Sequence, residues 1–260
     1  MEKVGLVLSG GAAYGFAHIG VINVLLKNKI PIDIVTGTSM GALIGGLYAS
    51  GVKPKEMKNI LTKFSGSKIV DFNLFALSNG GLIHGKKVLR FLSKLTEKKK
   101  IEDCKIPFCA VSCDLKTGKK ISINTGDIAE AIRASISVPG IFQPVVKDDM
   151  VLVDGGCVDN IPVDDARKLG ATKIIAVDVC SFYKPHKKLK SPVDILISAG
   201  NVMTSQICRY KKNTADITIK IAQPNVFMEK FNPKNTLQAI KNGEKEAKQV
   251  IDDIKKMLNL

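Results

Sequence analysis

The chain has 260 residues, 45% of them hydrophobic and 24% charged, a balance that excludes extended disorder and permits a large buried core. No run of about 18 apolar residues occurs, so no transmembrane helix is predicted. The net charge is +15, yet the basic residues are dispersed and accompany no zinc-finger or RNA-recognition signature, so an anionic membrane surface is preferred over nucleic acid as a partner.

Val4–Leu8 is a short apolar run close to the start, which reads as a buried strand and not as a signal peptide. Ser9-Gly10-Gly11 ends it. Phe16, Ile19, Ile22, Leu25 and Leu26 then recur at helical spacing, and Ile32–Thr36 reads as a second strand. Strand, glycine-rich turn, helix and strand make a parallel βαβ unit. A helix is predicted from Ser39 to about Ser50, where Gly51 stops it, and another over 54–64. At about 64–83, glycine, serine and asparagine interleave with apolar residues that include Phe72 and Phe75. That stretch reads as an irregular apolar loop or cap, with an acyl-chain rim and plain buried core both open.

Lys86–Leu95 reads as a helix. Phe108–Cys113 and Lys119–Ile123 read as strands joined by a turn over 114–118. Asp127 or Gly126 is placed to cap a short helix that runs to Ala134. Met150–Val153 is a strand ending at Asp154-Gly155-Gly156. A helix (163–169), a strand (173–179), a helix (193–208) and a strand (216–221) follow. A last helix is predicted at about 235–258 from Leu237, Ile240, Ala247, Ile251, Ile254 and Leu258. No linker or repeat interrupts this order. The expectation is a single α/β domain over 1–260, with a largely parallel central sheet and helices on both faces.

The six cysteines, Cys104, Cys109, Cys113, Cys157, Cys180 and Cys208, form no C-x-x-C pair. Reduced thiols in a cytoplasmic protein are expected, with no disulfide framework, no metal site and no cofactor.

Two segments carry chemistry. Gly37-Thr38-Ser39-Met40-Gly41 follows a strand and opens a helix, the context in which G-x-S-x-G places a nucleophile on a tight turn. Glycines at the flanks remove side chains that would collide there. From the pattern alone, a nucleophile and a helix-capping serine are equally open. Gly10-Gly11-Ala12-Ala13-Tyr14-Gly15 sits between a strand and its helix, where a turn can offer backbone N–H groups to a developing oxyanion. It does not fit a dinucleotide fingerprint, because Ala12 takes the second glycine position.

Ser39 needs a proton acceptor. His18 reads as packed or capping, His84 as a loop residue and His186 as part of a basic run. Asp154 follows a strand and has room beside Gly155 and Gly156, although Asp-Gly is also a common turn.

Together these segments resemble the patatin-like phospholipase family in its short bacterial form. The likeness rests on Leu8-Ser9-Gly10-Gly11 with Ala17-His18-Ile19-Gly20, on Gly37–Gly41, and on Arg133-Ala134-Ser135 with Pro139-Gly140-Ile141-Phe142. It continues through Asp154-Gly155-Gly156, Asn160-Ile161-Pro162-Val163 and Ala176-Val177-Asp178-Val179. The resemblance implies a Ser39–Asp154 dyad without histidine, an oxyanion hole from the backbone of Gly10, Gly11 and Ala12, and metal-free hydrolysis of lipid carboxylic esters through an acyl-enzyme. The family's loop reads G-G-G-x-R/K-G; here Ala12 replaces the third glycine and Tyr14 the basic residue. That departure motivates an alternative, a weak or inactive patatin fold serving as a lipid-binding or regulatory module. The implied partners are a lipid or ester substrate and, peripherally, the inner membrane face. The sequence leaves the oligomeric state open.

Overall fold

The computed structural model describes residues 2–62, 80–180, 192–211, 214–221 and 232–260. The predicted apolar cap, with Phe72 and Phe75, lies outside the described residues except at its C-terminal end.

Strand β1 (Val4–Leu8) is buried along its whole length. A strand with no polar alternation suits the middle of a parallel sheet covered on both sides. Its parallel neighbours are β2 (Ile34–Thr38) and, much later in the chain, a strand over Lys173–Asp178. Period-two alternation divides β1 between two cores: Leu6 and Leu8 enter the larger, Val7 the smaller. Helices α1 (Ala17–Lys27), α2 (Met40–Ala49) and α3 (Pro54–Thr62) bury their apolar faces in the larger core.

A short strand β3 (Gly81–Ile83) and helix α4 (Lys86–Leu95) precede β4 (Phe108–Asp114), which pairs parallel to β2. Strand β5 (Lys120–Ile123) turns back on β4 as a hairpin. Helix α5 (Ile128–Ser135) starts where the Asp127 carboxylate accepts the N–H groups of Ala129 and Glu130, as the sequence predicts. Then come β6 (Gly140–Phe142), which pairs with β3, and the strands β7 (Val145–Lys147) and β8 (Met150–Asp154). Helix α6 (Val163–Lys168) lies on the smaller core, ahead of β9 (Lys173–Asp178).

Helix α7 (Pro192–Lys211), β10 (Ile217–Lys220), α8 (Pro233–Gln249) and α9 (Ile251–Met257) complete the described chain. The main sheet runs β10-β9-β1-β2-β4-β8-β7. It is parallel from β10 through β4, and β5, β7 and β8 are antiparallel additions at one side. The short strands β3, β6 and β7 have too few apolar residues to show a period and are not visible in the sequence.

The predicted C-terminal helix is two helices. Val250 leaves helical geometry at φ −112°, and its N–H shifts to the Ala247 carbonyl, three residues back. Helices α1 and α8 cross at backbone contact. A Cβ on Gly20 would lie 2.1 Å from the Ile240 carbonyl oxygen, and one on Gly243 would lie 2.0 Å from that of Ala17. Gly243→Ala should therefore lower stability by about 1–3 kcal/mol in urea unfolding, despite the better helix propensity of alanine.

Candidate active site

Ser39 occupies the turn between β2 and α2 with φ 55° and ψ −123°, a left-handed conformation that is costly for a residue with a side chain. The surroundings hold it there. Its N–H donates to Ser135 Oγ (2.9 Å), whose hydroxyl donates in turn to the Val111 carbonyl (2.6 Å). Its carbonyl accepts the Leu43 N–H (2.9 Å). Gly41 is needed because a Cβ there would stand 2.0 Å from the Leu8 carbonyl oxygen, and one on Gly37 would stand 2.4 Å from the Gly41 carbonyl carbon. The end of β1, the end of β2 and the start of α2 thus touch backbone to backbone.

Asp154 reaches Ser39 from the other direction. Strand β8 is antiparallel to β4, with Asp154 opposite Ser112. On the other side of β4, Thr38 is paired with Val111. Because β4 extends to Asp114, β8 can descend along that extension and deliver its last residue level with Ser39. The Asp154 N–H donates to the Ser137 carbonyl (2.9 Å), and its Oδ1 accepts the Gly156 N–H (2.8 Å). The Ser39 side chain lies close enough to the same carboxyl to lower its pKa. A Cβ on Gly155 would lie 2.3 Å from the Val111 carbonyl oxygen, so the Asp-Gly-Gly turn rests directly on β4. Both side chains are buried, Ser39 at 8% and Asp154 at 6% exposure. Burial pushes the Asp154 carboxyl up to about 6, against the opposing pull of the Ser39 side chain and the Gly156 N–H. A carboxylate that titrates near neutrality is a better proton acceptor than an ordinary aspartate.

The glycine loop closes the third side. A Cβ on Gly10 would lie 3.0 Å from Ser39 Cβ and 2.4 Å from Asn160 Oδ1. Asn160 clasps Gly10 in both directions. Its carbonyl accepts the Gly10 N–H (3.3 Å), and its Nδ2 donates to the Gly10 carbonyl (3.3 Å). The N–H groups of Gly11 and Ala12 have no acceptor among the described residues. Of the three loop N–H groups, that of Gly10 is already engaged and those of Gly11 and Ala12 are left to donate.

A family model described as patatin-like phospholipase matches residues 6–167, a span that contains Ser39, Asp154 and the glycine loop. The chain belongs to the patatin-like phospholipase family. It is 37% identical over 185 residues to a patatin-like phospholipase domain-containing protein of Caenorhabditis elegans, covering 69% of this chain and 14% of that one. It is 37% identical over 184 residues to Lysophospholipase nte1 of Emericella nidulans, covering 69% and 12%. An uncharacterized NTE family protein of Mycobacterium tuberculosis is 34% identical over 177 residues, covering 68% and 49%. The chain thus spans less than half the length of these relatives. Among solved structures, VipD from Legionella pneumophila aligns over 97% of this chain and 67% of its own, with TM-score 0.60 and 15% identity. The ExoU–SpcU complex of Pseudomonas aeruginosa aligns over 98% and 52%, with TM-score 0.52 and 16% identity. Both share the fold.

In this patatin-like chain Ala12 stands at φ 45°, the left-handed region that the family's third glycine enters without strain. Ala12→Gly should raise stability by about 1 kcal/mol, measured by denaturant midpoint. Tyr14, at the family's basic position, is half-buried. His18 is fully buried and donates through Nε2 to the Ser9 carbonyl (2.8 Å). Burial lowers its pKa to about 4, so it is a neutral brace for the loop. The His84 carbonyl accepts from Arg133, and His186 lies outside the described residues.

Sequence reasoning missed the supports behind the patatin site. Lys120 Nζ bridges Asp165 (2.7 Å) and Asp159 (3.0 Å), both carboxylates almost fully buried. The Asp159 carbonyl accepts the Thr38 hydroxyl (2.8 Å), one residue before Ser39. This cluster fastens the segment after Asp154 to the end of β2. Ser135 and Asn160 stand in the quoted family motifs, which was the available signal. Lys120, on an added hairpin strand, gave none.

Proposed function

We propose that this chain is a serine acyl hydrolase that cleaves carboxylic ester bonds of lipids, in the manner of a phospholipase A or lysophospholipase. The observation that carries the reading is the convergence of two strand ends across β4, which sets Ser39, held at φ 55°, near the buried Asp154 carboxyl. In this mechanism Asp154 takes the Ser39 proton as Oγ attacks the ester carbonyl. The Gly11 and Ala12 N–H groups, with the α2 N-terminus behind Ser39, stabilise the oxyanion. The alcohol leaves with the proton from Asp154, and the acyl group stays on Ser39. Water, deprotonated by Asp154, then releases the fatty acid and restores the hydroxyl.

Lysophospholipase nte1, among the relatives, supports a lipid ester as the substrate class. The charge of +15 fits peripheral contact with an anionic membrane, since no helix among the described residues is long and apolar enough to cross one.

The test is fatty-acid release from a panel of phospholipids and lysophospholipids, with Ser39→Ala as the background. Release that depends on Ser39 is expected, and equal release by the variant would sink the proposal. The strained Ala12 favours one rival, a lipid-binding module with little activity. Under that reading, lipid binds while no member of the panel releases fatty acid.

A further inference from the structure

Helix α7 turns several large apolar side chains outward. Its inward side carries Ser198, Ser205 and Cys208, all buried, while Ile195, Leu196, Val202 and Met203 are 54%, 72%, 38% and 62% exposed. Positions 195, 196, 202 and 203 recur at i, i+1, i+7 and i+8, with the exposed Ala199 between them, so the apolar residues form one outward stripe. An exposed apolar stripe marks an interaction surface.

We propose that the outer face of α7 docks this chain on an anionic lipid surface beside the Ser39–Asp154 site. The inference rests on the reading of lipid esters as substrate and adds the element that would present them.

Charge selects the occupant. From 181 to 213 the sequence holds seven lysines and arginines and a single acid, Asp194. Four of the basic residues lie at 184–190, before α7, and three at 209–212, at its end. An apolar stripe flanked by basic residues suits a helix lying in the plane of an anionic bilayer, with its stripe among the acyl chains. The inner side of the helix touches the site itself. Thr204 Oγ1 donates to the Gly156 carbonyl (3.2 Å), and Asn160 Nδ2 to Cys208 Sγ (3.1 Å). A bilayer seated on α7 would therefore lie one helix thickness from the Asp-Gly-Gly turn and the residue that clasps the glycine loop.

The experiment uses vesicles of ether-linked phosphatidylcholine, with and without ether-linked phosphatidylglycerol, which the enzyme cannot hydrolyse. Binding is then read apart from catalysis. The chain should float with the phosphatidylglycerol vesicles, less so in high salt, and Leu196→Ser/Met203→Ser should weaken this by at least about tenfold. Hydrolysis of a soluble short-chain ester should be unchanged. The sequence contains no tryptophan, so Leu196→Trp supplies a lone reporter whose emission should shift to the blue on adding the anionic vesicles. Unchanged flotation of the double variant, or no emission shift, would overturn the proposal. So would a wild-type dimer that the double variant converts to monomer in sedimentation velocity, which would make the stripe a self-association face. Binding without hydrolysis of any ester would leave the docking surface standing and remove the enzymatic reading alone.

Discussion

Asp154→Asn should lower kcat on a soluble ester by about a thousand- to ten-thousandfold with little change in KM, because the lost proton acceptor acts only as the transition state forms. Ser39→Ala should fall as far, and the double variant no further, since two groups that act as one unit are not additive. The wild-type pH–rate profile should show an acid limb near pH 6, falling tenfold per unit below it, because Asp154 must be ionised to work. Stability should move the opposite way. The folded pKa of Asp154 is raised from 3.8 to about 6, so folding favours its protonated form. That stability is fully present below about pH 4 and is lost as pH rises through 6. Above pH 6 the buried charge is therefore a burden, and Asp154→Asn should be more stable than wild type by up to about 3 kcal/mol, a gain that disappears near pH 4. Thermal melts of the two proteins at pH 4 and pH 8 test this directly.

Lys120→Met should cost about 3–5 kcal/mol in denaturant unfolding. It removes the cation shared by Asp159 and Asp165, whose side chains are 3% and 2% exposed. Arginine should recover part of the loss, having the same charge in a bulkier head. Since the Asp159 carbonyl also holds Thr38, the surviving folded fraction should show reduced kcat with KM nearly unchanged. A variant as stable as wild type would mean that the cluster is solvated and contributes nothing to the fold.

The central parallel strands and their helices were legible because fully apolar runs such as Val4–Leu8 and Ile174–Val177 have little alternative to burial between two layers. The elbow was legible in Gly37–Gly41, where both glycines prove to be backbone contacts. The approach of Asp154 was legible in position but not in direction. Its strand β8 runs antiparallel and comes level with Ser39 through the extra length of β4. Short strands such as Gly140–Phe142 pair through backbone groups, which leave no side-chain pattern. Lys120 was illegible because its partners lie 39 and 45 positions away and nothing in its own neighbourhood marks it as buried. The sequence predicts a helix over 193–208; only the fold shows which of its sides meets the protein.

A fluorophosphonate ester measures the central claim most directly, because it reacts only with an activated serine. Peptide mapping should find a single adduct on Ser39, formed at a rate that is half-maximal near pH 6 and collapses in Asp154→Asn. An adduct on another residue, or equal labelling of Asp154→Asn at every pH, would contradict the pairing of this hydroxyl with this carboxylate.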